Sequence, residues 1–141
     1  PADSTSPIQP SVGLGITEAS PPPAAATTGT LLINIPEDPN EIAVELAIRN
    51  ATVQKLVRDG GFTEIWIPAL EAKDLALALT PHLNRLASNQ QLPVTLAVKE
   101  LVRAAWLLDW HGDLGNRQRV EAAYAIFGQA AEIIAAAYDR Q

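Results

Sequence analysis

The chain has 141 residues, a net charge of −6 at pH 7 and no cysteine, which leaves room for one domain. The absence of cysteine excludes disulfides, thiolate catalysis and cysteine-ligated metals. The acidic balance disfavours nucleic acid and anionic membrane surfaces as partners, because both need several Lys or Arg residues on one face. No run of about 18 apolar residues occurs, so no segment is predicted to span a bilayer.

Residues 1–29 are rich in Pro, Ser, Thr and Ala and show no apolar periodicity. Such a segment buries too little surface to offset the entropy lost on ordering, so we predict a disordered leader or linker there. The alternative is a segment that orders only on a partner, anchored by Ile8, Val12, Leu14 and Ile16. The remaining residues, 30–141, are predicted to form a single helical domain.

The compartment stays open. The chain begins with Pro1 rather than Met, so we expect a processed or trimmed chain. A cytoplasmic location is slightly favoured, and a cleaved signal peptide upstream is the alternative.

Two short runs are typical of strands. "TLLINIP" at 30–36 is rich in β-branched residues and stops at Pro36, and "FTEIWIP" at 62–68 alternates apolar and polar positions. If the two runs pair, they add a minor two-stranded β element and the fold becomes α+β. If they do not, the domain is all-α.

Helical signals fill the rest of the chain. Pro39 and Asn40 suit the start of a first helix and Gly60 with Gly61 its end. The segment 69–91 reads as helix, with a break expected at Pro81, where Thr80 would be the cap. The chain from Pro93 to Trp110 and the chain 118–138 repeat apolar residues at helical spacing and predict a C-terminal antiparallel hairpin. The predicted fold is mostly α, with about four helices.

Asp109, His111 and Asp113 form the most conspicuous polar cluster. Two carboxylates and an imidazole could hold a metal or act as acid and base. On one helix, however, residues two apart point about 200° away from each other, so His111 should face away from both acids. We therefore interpret the cluster as a helix end, with Gly112 as a left-handed cap and Asp113 or Asn116 capping the next helix.

No known catalytic motif or phosphate loop occurs, and we predict neither an enzyme nor a resident metal or cofactor. The two C-terminal helices are apolar around more than half their circumference. Such helices are either central or use their second face to meet another chain.

The leading hypothesis is thus a non-enzymatic interaction or assembly domain, tethered by 1–29, whose partner is another protein or a second copy. We predict that its interface contains large apolar side chains of the helical domain: Trp66, Trp106, Trp110, Ile126 and Ile133. The alternative is a small-ligand or cofactor pocket between helices, lined by Trp66, Trp106, Tyr124 and Phe127. An enzyme using His111 is the third hypothesis.

Overall fold

The fold comes from a computed structural model that describes residues 33–139. Four α-helices account for most of this part of the chain, and short 3₁₀ segments, Phe62–Glu64 and Thr80–Arg85, precede and follow the second helix. In chain order the helices are α1 Pro39–Asp59, α2 Trp66–Ala78, α3 Ser88–Asp113 and α4 Arg117–Asp139. The prediction of a mostly helical domain with about four helices is confirmed.

The four helices form a closed ring in which each packs against the two that adjoin it. α1 contacts α2, α2 contacts α3, α3 contacts α4, and α4 returns to α1. Arg117, at the start of α4, donates from Nη1 to the carbonyl oxygen of Val57 near the end of α1, at 3.5 Å. With short connections between them, successive helices run antiparallel, as in an up-and-down four-helix bundle. The C-terminal hairpin is therefore present, and neither of its helices is central.

The predicted strands are wrong for the residues that can be compared. Residues 33–36 have no regular structure, whereas 62–68 form a 3₁₀ turn and the first residues of α2, and no strand occurs within 33–139. Ile65 is fully buried, and its carbonyl accepts the N–H of Ala69 at 3.0 Å. The apolar positions therefore follow the period of a helix. A window of seven residues is too short to distinguish that period from the alternation of a strand. Residues 30–32 of the first run lie outside the described residues, as does the predicted leader.

Of the two boundaries predicted at Pro81 and Pro93, the first is confirmed and the second is wrong. α2 ends at Ala78, just before the 3₁₀ segment that contains Pro81, so the expected break is confirmed, although Thr80 makes no capping hydrogen bond. α3 does not start at Pro93 but at Ser88, and Pro93 lies in its second turn. There, the missing N–H costs one hydrogen bond near an exposed helix end, which is far cheaper than a break in the middle of a helix.

The core is built from the inward stripes of all four helices. No polar or charged residue is buried within 33–139. The largest side chains that are almost fully buried include Leu46, Leu75, Leu101, Leu108, Phe127 and Ile134. At typical transfer free energies, each such side chain contributes about 1.5–3 kcal/mol on burial, so packing of these stripes dominates the stability.

Arg49 interrupts the apolar stripe of α1 and forms ion pairs at the edge of the core. Its guanidinium pairs with Glu45 on the same helix and with Glu71 on α2, the second contact at 3.2 Å from Nε to Oε1. The Arg49 side chain lies at the edge of the core, so the long aliphatic stem packs while the charge stays paired. This ion pair connects α1 to α2.

The end of α1 matches the prediction. Gly60 adopts a left-handed backbone at φ 81°, and the N–H of Gly61 donates to the carbonyl oxygen of Leu56 at 2.9 Å. At the other end, the carboxylate of Asp38 accepts the N–H of Asn40 at 2.9 Å, one residue after Pro39 opens the helix. These contacts satisfy backbone groups that the helix itself leaves unpaired.

The turn between α3 and α4 differs from the prediction at one glycine. Gly115, not Gly112, takes the left-handed conformation, with φ 66°. The N–H of Asn116 donates to the carbonyl oxygen of His111 at 3.1 Å, and the N–H of Gly115 to that of Gly112 at 3.0 Å. This pair of bonds is a Schellman motif. Asn116 also caps α4, because its side-chain oxygen accepts the N–H of Arg119 at 3.1 Å.

Gly112 serves a different purpose: it lets two backbones touch. It lies buried within α3, and a Cβ at this position would come within 2.5 Å of the carbonyl oxygen of Phe62. The obstructing atom belongs to the backbone, so it cannot rotate away as a side chain could. The close approach of α3 to the connection between α1 and α2 therefore requires glycine at this position.

We expect Gly112→Ala to lower the free energy of unfolding by about 2 kcal/mol, because the new methyl group forces α3 away from Phe62. Urea unfolding followed by circular dichroism measures this change. Gly128→Ala is the control at another buried glycine: its Cβ would meet only side-chain atoms of Tyr124, the nearest at 3.1 Å, which can shift where a backbone cannot, and alanine gains helix propensity. We expect that change to be within about 1 kcal/mol. Equal stability of the two variants would contradict the prediction.

Candidate docking surface on helix α3

Because each helix has two neighbours, each also has a face that points away from the bundle. On α3 that face carries large apolar side chains, whereas the outer face of an ordinary surface helix is polar. The exposed fractions are 65% for Leu92, 51% for Leu96, 50% for Trp106, 68% for Trp110 and 67% for Leu114. We call these five residues, with the exposed Lys99, Glu100 and Arg103 between them, the α3 outer face.

Helical spacing explains why these side chains share one side. Leu92 and Leu96 are four residues apart, and Trp106, Trp110 and Leu114 continue the same spacing along the second half of the helix. Val94, Leu101 and Leu108, which are buried in the core, occupy the opposite side. Leu114 follows directly after α3 and keeps a helical backbone.

The outer face of α4 is different in kind. Its exposed apolar positions are mainly alanines, such as Ala122, Ala125 and Ala136, with Gln129 and Glu132 among them. Short side chains of this kind offer little area to a partner. The two C-terminal helices therefore have wide apolar circumferences for different reasons. The outer face of α4 carries mainly small side chains, whereas that of α3 carries large exposed ones.

Trp106 is held at one edge of the α3 outer face. The ammonium of Lys73, on α2, lies 4.8 Å from the centre of its ring, in a cation–π contact. Lys73 also pairs with Asp74 at 3.1 Å. Trp106 is thus fixed against α2, and Trp110 lies one turn further on.

The structure separates the five residues predicted from sequence as an interface. Trp106 and Trp110 lie together on the α3 outer face, while Trp66 is half-buried at the start of α2. Ile126 and Ile133 line a groove of about 370 Å³ between α3 and α4. Leu96 lines the same groove and so joins it to the α3 outer face.

Leu92, Leu96 and Leu114 were not predicted as interface residues. Leu92 and Leu96 lie opposite the dominant stripe of α3, and Leu114 lies in the glycine turn. A helical wheel drawn from Ser88, the true start of α3, would have grouped them with the tryptophans. The early start of the helix, across Pro93, concealed Leu92, whereas Leu96 lay within the predicted helix and Leu114 was assigned to the turn.

The four aromatic residues considered for a ligand pocket lie in different surroundings in the described part of the chain. Phe127 is fully buried, and the hydroxyl of Tyr124 donates to the side-chain oxygen of Asn50 at 3.0 Å. Trp106 lies half-exposed beside α2. Within residues 33–139, the grooves along the α3–α4 and α1–α4 seams are lined by side chains other than Trp66, Trp106, Tyr124 and Phe127.

The acidic pair around His111 is a feature of the helix end. Asp109 and Asp113 lie one turn apart on α3, and burial, followed by the charge of Asp113, raises the pKa of the Asp109 carboxyl. His111 is half-buried, and its Nδ1 has no hydrogen-bond partner among residues 33–139. Among residues 33–139, no three His, Asp or Glu side chains are grouped so that they could hold a metal ion.

α4 is long and apolar enough, by length and composition, to cross a membrane. Within the bundle, 44% of its most apolar window is buried, and Val120, Phe127 and Ile134 face the core. The core helix of a bundle passes the same test, so the length and composition of α4 are weak grounds for a membrane span.

No protein-family model matches this chain, and no curated protein shows significant sequence similarity to it. The function must therefore be argued from the surface itself.

We expect Asp109→Asn to stabilise the protein at neutral pH. A carboxyl whose pKa is raised by folding destabilises the folded state when it is ionised. This loss of stability is absent below the unfolded-state pKa of about 3.9 and is complete above the folded-state pKa. The carboxylate also lies near the negative end of the α3 dipole. The expected gain at pH 7 is about 0.5 kcal/mol, because the group keeps contact with water.

Urea unfolding at pH 7 and pH 3 measures the effect of Asp109→Asn, which should vanish at pH 3. Glu132→Gln, at an exposed position in the middle of α4, is the control and should change little at either pH. A gain that persists undiminished at pH 3 would show that loss of the charge is not its cause.

Proposed function

We propose that this chain is a protein–protein interaction or assembly domain rather than an enzyme, and that the α3 outer face is its docking surface. The observation that carries the proposal is the exposure of two tryptophans and three leucines along one side of a single helix. Under this proposal the Pro-rich residues 1–29, which lie outside the described residues, serve as the tether.

The physical argument concerns exposed apolar area. A monomeric protein rarely exposes a contiguous apolar patch larger than a few hundred Å², and larger patches mark interaction sites. Tryptophan is also the residue most enriched where binding energy concentrates in interfaces. Trp110, at 68% exposure, makes no contribution to the core that would explain its presence, so a partner that covers it is the simplest reason for it.

The shape of the surface indicates what kind of partner it accepts. The α3 outer face is a convex ridge about 33 Å long between Leu92 and Leu114, at about 1.5 Å per residue. The groove beside it, lined by Leu96, Ile126 and Ile133, can receive side chains from a helix laid along the ridge. Packing of ridges into grooves is the ordinary way in which two helices associate.

The proposal predicts that a photoreactive benzoylphenylalanine in place of Trp110 crosslinks to a partner protein in the cells that naturally express the chain. The same probe in place of Gln54, an exposed residue on α1, is the matched control. We expect a discrete covalent product from position 110 and none from position 54, resolved by gel electrophoresis and identified by mass spectrometry.

Two results would contradict the proposal. One is the absence of any product from position 110 when the folded variant is expressed at its normal level. The other is a smear of products that is the same from both positions, because that pattern reports random collision rather than docking.

A further inference from the structure

We propose that the partner of the α3 outer face is a second copy of this chain. In this arrangement the two α3 helices pack antiparallel about a two-fold axis that passes beside Arg103. The inference rests on the proposed function and adds to it the identity of the partner and the register of the contact. The observation that supports the inference is the order of residues along the α3 outer face.

Four of the five apolar residues of the α3 outer face pair with one another when the face is reversed, and the fifth, Trp106, falls opposite the partner's Glu100. With Arg103 as the centre, Leu92 and Leu114 are each 11 residues away and Leu96 and Trp110 are each seven away. A two-fold axis at Arg103 therefore places Leu92 against the partner's Leu114 and Leu96 against the partner's Trp110. A two-fold interface requires this kind of reciprocal pairing, in which residue i meets j and j meets i.

The charges on the face favour the same arrangement. Lys99, Glu100 and Arg103 occupy its centre, and Arg103 pairs with Glu100 at 2.8 Å. In a parallel pair of helices Lys99, Glu100 and Arg103 would each face their own copy, whereas in the antiparallel pair only Arg103 does. In the antiparallel pair, Glu100 lies about 4.5 Å along the axis from the partner's Arg103, close enough for a second ion pair.

The rest of the surface fits a second copy less well. Among the described helices, α1 exposes two large apolar residues, Val44 and Ile48, α2 exposes two, Ile67 and Leu77, and α4 exposes one, Ile133, with shorter side chains around it. One helix against one helix is a small interface for two proteins. We therefore expect a reversible dimer with a dissociation constant on the order of micromolar.

The first experiment uses charge variants of the full chain, followed by sedimentation equilibrium across the micromolar range. Leu96→Glu and Trp110→Lys should each weaken the dimer by at least about tenfold, because each places a charge against an apolar partner. A mixture of the two variants should dimerise more tightly than either alone. In the mixed dimer Glu at 96 meets Lys at 110, and the other end keeps the native pair.

Both positions are exposed, so circular dichroism should show that the two variants remain folded. Gln54→Lys is the matched control and should leave the dimer unchanged. A wild-type chain that stays monomeric throughout this range overturns the inference. So does a wild-type dimer whose two charge variants fail to associate when mixed.

The second experiment uses the absence of cysteine from the native chain. Helices packed about 8–10 Å apart, with Cα atoms about 2.3 Å from each axis, bring the two residues nearest the two-fold axis within disulfide range. Under mild oxidation, Arg103→Cys should form mostly covalent dimer, and Gln54→Cys should remain mostly monomer. Equal crosslinking of the two variants overturns the proposed register.

These outcomes separate the inference from the proposed function. If the wild-type chain is monomeric but the photoreactive probe at position 110 traps a different protein, the interaction surface stands and the second copy does not. If the chain dimerises yet neither the mixture nor Arg103→Cys behaves as expected, the two copies meet elsewhere. If position 110 traps nothing, the proposed function itself fails.

Discussion

Burial of apolar stripes in a four-membered ring is the constraint on which the rest of this structure depends. Each helix packs against two neighbours, so each can hide only part of its circumference. Leu101 and Leu108 of α3 meet the core with Phe127 and Ile134 of α4, and no buried charge disturbs that interior within residues 33–139. Apolar side chains of a helix that face neither of its two neighbours must remain exposed to solvent. Among the described helices, α3 exposes the most large apolar side chains, and these form the α3 outer face.

The backbone conformations at the ends of the helices allow short connections between neighbouring helices. Gly60 and Gly115 take left-handed conformations that let the chain reverse within a few residues. Gly112 allows the end of α3 to contact the backbone at Phe62. Together these positions place the C-terminal half of α3 tightly against the bundle, so Trp106 and Trp110 project from a rigid support. A rigid support lowers the entropy cost of docking.

The polar cluster at 109–113 and the exposed tryptophans lie on the same half of α3 but differ in what they can do. Burial, followed by the charge of Asp113, raises the pKa of the Asp109 carboxyl, and within residues 33–139 His111 is not grouped with the two acids as a ligand set. Trp110, between them in sequence, is the residue with the most exposed large ring. The exposed tryptophans, rather than the acidic pair, are therefore the basis of the function that we propose for this segment.

The sequence by itself determined the helical class, the ends of α1, the break at Pro81 and the antiparallel hairpin, because local periodicity and capping residues govern these features. It also singled out Trp106 and Trp110. Only the tertiary structure decided that 62–68 is helical, that α3 begins at Ser88, and that Gly112 is needed for a close approach. Each of these depends on what another part of the chain places nearby. The same holds for the α3 outer face, because a side chain is exposed only relative to the neighbours its helix has.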